Sequence, residues 1–235
     1  MIGLFGVSSG SAAVKPAKLP LLLEKVEAKY TAAKTMKADF TQKNDSAILQ
    51  KSTVSTGKLS AKRPGKVRWE TLEPDKNLLV SNGQKFWFYQ HPMFEDERGQ
   101  VIVSKSSSTV PPLANALLAG SFSMVRQMKI DQKTPSRFAL IPNKKGTAGT
   151  VILAEIEIRL ADKLIEKVIL EHKGGNHTEM TLTNIQLGDD IPDSMFTFVA
   201  PANTDEVDPA KERSTLHSPS KSPVPNRALP AVRTP

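Results

Sequence analysis

The feature that most constrains the fold is an alternation of apolar and polar side chains with a period of two, from Met36 to about Gly99. This period is typical of β-strands, because successive side chains point to opposite faces of a sheet. Short turn sequences interrupt the pattern and predict an antiparallel meander, since such turns join neighbouring strands. The turns are Arg63-Pro64-Gly65, Glu73-Pro74-Asp75 and Asn82-Gly83. The candidate strands are a first one around Ala38–Gln42, followed by residues 47–60, 66–72, 77–82, 85–90 and 98–105.

The same pattern returns in the second half of the chain. Apolar residues from Ile152 to Leu160 alternate with Glu155, Glu157 and Arg159, which is typical of a sheet with one apolar and one hydrated face. About ten antiparallel strands result, and such a long meander is expected to curl, leaving a concave face. The candidate strands here are residues 137–142, 151–160, 164–173 and 177–188.

Two helical segments are available to cover a concave face. The second, from Pro111 to Gly120, is apolar around its whole circumference apart from Asn115. A short helix of this kind must be covered by another element or meet an apolar ligand. The first helix is predicted over residues 17–35, where apolar side chains recur every three or four positions, namely Leu19, Leu22, Val26, Tyr30 and Ala33. A further helical turn is predicted around Phe122, Val125 and Met128.

The two ends of the chain differ from its centre. Residues 1–15 have a short apolar run followed by small residues, which is typical of a truncated secretory signal or, alternatively, of a frayed N-terminus. We expect a single domain over residues 16–208, closed by the segment 193–201. Residues 209–235 are rich in proline, lack aromatic residues and carry half of the net charge of +8. This composition predicts a disordered basic tail.

Residue patterns that carry reactive chemistry are not found in the sequence. The chain has no cysteine, which excludes disulfides and thiol catalysis. His91, His172, His177 and His217 show no metal-ligand spacing, and the sequence has no glycine-rich phosphate loop or nucleophile-elbow serine. We therefore expect a binding protein without metal or cofactor, and not an enzyme. A nucleic-acid partner is not favoured, because much of the basic charge lies in the tail.

Several short motifs follow one another in a fixed order, and through them the chain resembles the outer-membrane lipoprotein carrier protein (LolA) family over roughly residues 17–205. A lid segment, Val110-Pro111-Pro112 with Leu117-Leu118, and the closing Phe196-Thr197-Phe198 with Pro201 also fit this family. The main motifs are Ala38-Asp39-Phe40-Thr41-Gln42, Gly57-Lys58-Leu59, Lys62-Arg63-Pro64, Arg68-Trp69-Glu70, Pro74-Asp75, Leu79-Val80-Ser81-Asn82-Gly83 and Trp87-Phe88-Tyr89.

The resemblance implies an α+β fold in which one curved antiparallel sheet forms an incomplete β-barrel, with helices as a lid over an apolar cavity. It implies a soluble, monomeric periplasmic carrier that receives lipoproteins from an ABC-type extractor in the inner membrane. The carrier shields their acyl chains and hands them to a receptor or to the membrane on the outer side. In the family, the arginine of the Lys-Arg-Pro motif hydrogen-bonds to lid carbonyls. Arg63 is thereby implied as a lid latch, the alternative being an exposed arginine at a strand end.

The resemblance also implies a set of residues around the cavity, and for each of them the alternative is plain core packing. A sensor or adaptor with the same fold is the second function to consider, and a nucleic-acid-binding protein is the third. The chain departs from the family where it has Val67 in place of a bulkier apolar residue and Tyr30 in place of a leucine. The expected cavity residues are Val26 and Tyr30 from the first helix, Phe40, Val67, Trp69, Leu79 and Phe88 from strands, and Leu113 and Leu117 from the lid.

Overall fold

The computed structural model describes residues 18–94, 96–104, 122–143 and 148–207. Within these residues the chain forms one twelve-stranded sheet and one α-helix. The predicted lid segment from Pro111 to Gly120, the N-terminal residues 1–15 and the tail 209–235 lie outside the described part of the chain.

The elements follow one another as strands with few interruptions. Helix α1 covers Leu21–Ala33, and two 3₁₀ turns lie at Val125–Gln127 and Asp193–Phe196. The strands are β1 (Thr35–Ser46), β2 (Lys51–Lys62), β3 (Lys66–Glu73), β4 (Asn77–Asn82), β5 (Phe86–Gln90), β6 (Gly99–Ser104), β7 (Met128–Gln132), β8 (Arg137–Pro142), β9 (Val151–Arg159), β10 (Leu164–His172), β11 (His177–Leu187) and β12 (Thr204–Val207).

The strand order is β12-β6-β5-β4-β3-β2-β1-β11-β10-β9-β8-β7. The pairing of β1 with β11 joins the two halves of the meander, and β7 and β12 are the two edges of the described sheet. Because these edges do not pair with each other, the sheet remains open. The prediction of a single curved sheet forming an incomplete barrel is confirmed.

Two strands depart from the sequence-based prediction. Met128 begins β7 and does not belong to a helical turn, although the preceding 3₁₀ turn at Val125–Gln127 agrees with the prediction. Strand β12 was not predicted, and it pairs with β6 in parallel, from Thr204 opposite Gly99 to Val207 opposite Ile102. The sheet therefore has twelve strands where about ten were expected, and eleven of its strands form the antiparallel meander.

Helix α1 packs on the concave face near the β7–β10 half of the sheet. Val26 is fully buried, and the Tyr30 hydroxyl accepts a hydrogen bond from the backbone N–H of Ile165 at 3.1 Å. Burial raises the pKa of Tyr30 to about 12, so the hydroxyl stays protonated at neutral pH. The helix covers a continuous apolar core to which β1–β3 and β7–β11 contribute. Its strand residues include Phe40, Phe138, Ile156, Val168, Met180 and Leu182.

A second, smaller apolar cluster lies on the opposite face of β4, β5 and β6. Leu78, Val80, Tyr89 and Val101 form it, and Phe198 from the C-terminal segment packs against it. The rings of Tyr89 and Phe198 have their centroids 5.4 Å apart. The C-terminal segment thus covers apolar side chains that would otherwise face water on the convex side.

The C-terminal segment is also held to the sheet by charge. Lys66 Nζ and Lys62 Nζ lie 2.7 Å and 2.9 Å from the carboxylate oxygens of Asp193. Lys62 Nζ also donates a hydrogen bond to the backbone oxygen of Ile191 at 2.7 Å. Two strand lysines therefore anchor the chain just before Phe198 reaches the convex cluster.

Replacement of Gly57 by alanine is expected to destabilise the sheet. An added Cβ would lie 2.0 Å from the backbone oxygen of Glu70 and 2.8 Å from the Phe40 ring, so backbone or ring must move. Overpacking of this kind costs about 1–3 kcal/mol. Urea unfolding of Gly57→Ala should show this loss, whereas Thr56→Ala, at the exposed neighbouring position, should change stability little. An unchanged unfolding midpoint for Gly57→Ala would contradict the described packing.

The Asp193 anchor is expected to make stability depend on pH in the acid range. Hydrogen bonds from Lys66 and Lys62 lower the pKa of Asp193 from 3.8 to about 2. A lowered pKa in the folded state means that the anchor contributes fully above about pH 4 and is lost as the pH falls towards about 2. Urea unfolding should show wild type to be more stable than Asp193→Asn near neutral pH, with the difference shrinking across this window. Asp190→Asn, at an exposed position without an ion pair among the described residues, is the matched control.

Candidate ligand-binding site

A cavity of about 310 Å³ opens on the concave face of strands β1 to β5. The strand register creates it, because Trp69 on β3 lies opposite Leu79 on β4, and Leu79 lies opposite Phe88 on β5. Directly opposed residues point to the same face of a sheet, so these three side chains form one apolar row. The full lining is Gln42, Asn44, Thr53, Ser55, Trp69, Thr71, Pro74, Asp75, Asn77, Leu79 and Phe88.

The apolar row is only partly covered. Leu79 is buried, but Trp69 and Phe88 are half-buried. Trp69 leans on Phe40, with ring centroids 5.0 Å apart and an interplanar angle of 53°. The row therefore adjoins the packed core on one side and presents aromatic surface to the cavity on the other.

The wall formed by β1 and β2 is polar. Gln42 Nε2 donates a hydrogen bond to Asn44 Oδ1 at 3.1 Å, and Thr178 Oγ1 donates to the same oxygen at 2.9 Å. Thr53 and Ser55 add hydroxyl groups from the facing strand. A cavity with an apolar row and a hydrogen-bonding wall suits a ligand that has both an apolar and a polar part.

The structure brings together three of the residues predicted from the sequence, namely Trp69, Leu79 and Phe88. Four others belong to the adjoining packed core: Val26, Tyr30, Phe40 and Val67 are each no more than 5% exposed. Leu113 and Leu117 lie outside the described residues.

Sequence reasoning missed the polar half of the lining. Gln42, Asn44, Thr53, Ser55, Thr71 and Asn77 were not predicted as site residues. The signal was present, since Gln42 and Asn44 follow Phe40 at intervals of two and so share its face of β1. Their polar side chains do not stand out by hydrophobic periodicity, which identifies only the apolar members of a face.

Arg63 lies in the turn between β2 and β3, at the end of the sheet near the end of α1. Its backbone N–H donates to the carbonyl of Lys34 at 2.9 Å. Burial lowers the pKa of the Arg63 guanidinium, and the negative charge of Glu27 opposes this effect. Glu27, on α1, also accepts a hydrogen bond from Arg126, so the helix is tied to the chain that follows residue 121.

The described residues contain neither a metal-binding cluster nor a membrane-spanning helix. No group of three His, Cys, Asp or Glu side chains in this part of the chain is placed to hold a metal ion. No helix within it is long and apolar enough to span a membrane, since α1 has 13 residues.

A family profile and the curated relatives point to the same family. The family profile described as "Outer membrane lipoprotein carrier protein LolA" matches residues 31–199. A curated relative from Idiomarina loihiensis, named outer-membrane lipoprotein carrier protein, is 28% identical over 153 residues, which cover 65% of this chain and 70% of the relative. A relative of the same name from Dechloromonas aromatica is 25% identical over 174 residues, which cover 74% of this chain and 81% of the relative.

A solved structure of a LolA superfamily protein from Nitrosomonas europaea aligns with 75% of this chain and 96% of its own, at 14% identity and a TM-score of 0.46. The family assignment depends on the profile, which extends from the last turn of α1 through β11 to the C-terminal segment. The chain belongs to the outer membrane lipoprotein carrier protein LolA family.

Proposed function

We propose that this protein is a periplasmic carrier that shields the acyl chains of lipoproteins and transfers them from the inner to the outer membrane. The observation that carries the proposal is the half-covered row of Trp69, Leu79 and Phe88 on the concave face. Family membership supports the same role, since the curated relatives are named lipoprotein carriers. The work of such a protein is binding and release, without a catalysed reaction.

The physical need for a carrier follows from the acyl chain itself. Burying an acyl chain is worth about 0.8 kcal/mol per CH₂, so one long chain in water costs on the order of 10 kcal/mol. A lipoprotein that crosses an aqueous compartment therefore needs an apolar shelter. The row of aromatic and aliphatic side chains beside a hydrogen-bonding wall provides one for an amphiphilic ligand.

The described cavity is at the small end of ligand sites, which span about 300–1,000 Å³. We propose that cargo enlarges it by displacing α1 from the sheet. Val26, Tyr30, Phe40 and Val67 would then become part of the wall, which reconciles their burial with a place in the cavity. Leu113 and Leu117 remain proposed as lid residues.

The proposed partners follow from this route. Cargo is received from an ABC-type extractor in the inner membrane and delivered to an outer-membrane receptor or to the membrane itself. The carrier acts as a monomer with a single cargo molecule.

Replacement of Phe88 by asparagine tests the cavity. The half-buried ring can be removed without opening the packed core, and burial of a phenylalanine is worth about 1.5–3 kcal/mol. Affinity for a triacylated lipoprotein should fall by about tenfold to a hundredfold. The measurement is release of the lipoprotein from membrane vesicles into a soluble one-to-one complex, titrated with wild type and with Phe88→Asn.

Val54→Asn is the matched control for this experiment. Val54 is an exposed apolar residue on β2, between the cavity residues Thr53 and Ser55 in a regular stretch of the strand, and therefore lies on the other face of the sheet. The control should bind cargo as wild type does. A folded wild-type protein that releases no lipoprotein would refute the carrier role, and equal losses in both variants would place the binding surface elsewhere.

Replacement of Arg63 by leucine tests the proposed latch. If Arg63 stabilises the empty, closed carrier, its loss removes a contribution that favours cargo release, and Arg63→Leu should accept lipoprotein but transfer it poorly. Transfer to outer-membrane vesicles from the preformed complex is the measurement. Arg68→Leu is the control, since Arg68 lies five residues away and pairs with Glu70 at 3.3 Å. Normal transfer by Arg63→Leu would remove the latch role and leave the carrier role intact.

A further inference from the structure

A second cavity, of about 300 Å³, lies at the rim of the sheet beside the first. It is formed between the turn that joins β1 to β2 and the turn that joins β10 to β11. The backbone N–H of Ala47 in one turn donates to Asn176 Oδ1 in the other at 3.1 Å. We name it the rim groove, and it is lined by Asn44, Asp45, Ser46, Leu49, Lys51, Thr53, Thr150, His172, Lys173, Asn176, His177 and Thr178.

The rim groove is contiguous with the concave cavity. Asn44 and Thr53 line both of them. Asn44 and its neighbour Asp45 both line the groove although successive strand residues point to opposite faces. A groove lined by residues from both faces passes over the ends of the strands, at the rim of the sheet. It therefore leads from the concave cavity towards the outside of the molecule.

The chemistry of the rim groove differs from that of the apolar row. Thr150 Oγ1 and His172 Nδ1 are 2.9 Å apart, and burial lowers the pKa of His172, so its ring is uncharged at neutral pH. The two hydrogen bonds at Asn44 both end on Oδ1, which leaves its amide N–H groups without a partner among the described residues. Most of the lining thus consists of neutral side chains that can donate or accept hydrogen bonds.

The carboxylates at the groove have basic partners among the described residues, whereas two of its lysines have no acidic partner there. Asp45 is held by Lys43 at 3.0 Å and by Ser52, and Glu171, beside the groove, lies 2.7 Å from His177 Nδ1. Lys51 and Lys173 form no ion pair with any described residue. The two unpaired ammonium groups favour a negatively charged group in the groove.

We propose that the rim groove holds the polypeptide that follows the acylated residue of the cargo, in extended form and with acidic side chains preferred. This inference rests on the proposed carrier function. An extended peptide brings one N–H and one C=O per residue, and each needs a hydrogen-bonding partner when it leaves water. The amide and hydroxyl groups of the rim groove supply such partners, while the row of Trp69, Leu79 and Phe88 does not. The acyl chains and the peptide of one cargo molecule thus occupy adjoining cavities.

The absence of cysteine from the chain makes a site-specific test possible. Leu49→Cys and Asn176→Cys place single thiols in the groove, at positions that do not line the concave cavity, and Gln84→Cys places one in the exposed turn after β4, at the far end of the sheet. Each variant is labelled with a photoactivatable maleimide, loaded with a triacylated lipoprotein and irradiated. We expect crosslinks from positions 49 and 176 to the first residues of the cargo polypeptide, found by mass spectrometry, and none from position 84.

The outcomes separate this inference from the carrier function. If soluble complexes form but the groove variants do not crosslink to the amino-terminal residues of the cargo, the peptide takes another path and the inference is overturned. If no complex forms with any variant or with wild type, the carrier function itself fails. The loaded complex is also irradiated in the presence of phospholipid vesicles. Crosslinking of phospholipid at position 176 in place of the cargo peptide would assign the groove to a lipid headgroup and overturn the inference.

The two lysines provide a second readout that does not depend on crosslinking. Lys51→Gln combined with Lys173→Gln should weaken binding of a lipoprotein with acidic residues after its acylated end by about two- to tenfold, as expected for exposed charge pairs. Binding of the same lipoprotein with neutral residues there should not change. Lys76→Gln, an exposed lysine outside the groove lining, is the control. If the double variant lost affinity for the acidic and the neutral lipoprotein by the same factor, or lost none for either, the proposed preference for acidic residues would be contradicted.

Discussion

Within the described residues, the structure depends on how one short helix covers part of a large curved sheet. Twelve strands present a concave apolar face, and the described chain offers one helix of 13 residues to cover it. Helix α1 lies near β7–β10, where Tyr30 bonds to β10 and Glu27 pairs with Arg126. On β3 and β5 the same concave face leaves Trp69 and Phe88 half-exposed. The proposed binding site is therefore the part of the apolar face that α1 does not reach.

Local patterning predicts most of this sheet because strand identity and face follow from a period of two. Strands β4 and β8 were predicted with their observed bounds. The parallel edge strand β12 was not, because only its contact with β6 makes Thr204–Val207 a strand. The alternation also failed at one end of β9. Opposite Glu171 and His172 of the partner strand β10, the register shifts by one residue at Ile152. Val151 is therefore buried and Ile152 is exposed, and such a bulge depends on the partner strand.

The site was predicted less completely than the fold, for a physical reason. Periodicity tells which side chains share a face, but it does not tell what covers that face. Phe40 and Trp69 were both expected in the cavity, and their rings do touch, yet Phe40 is 3% exposed beneath the helix while Trp69 borders the cavity. The polar wall of Gln42 and Asn44 shares the same face, but polar residues on a strand are equally compatible with a hydrated surface, so the sequence does not distinguish them as part of a site.

The position of Phe40 couples the packed and open parts of the concave face. Its ring lies over Gly57, where a Cβ would be 2.8 Å away, and against Trp69 of the cavity. In the proposed carrier, a long acyl chain that displaced α1 would have to separate apolar contacts that the empty protein makes with itself. This opposing free energy lowers the net affinity without weakening the shelter once it is open. In the proposed carrier, cargo release would be accompanied by closure of the core, and the restored contacts of α1 would favour the departure of the acyl chains.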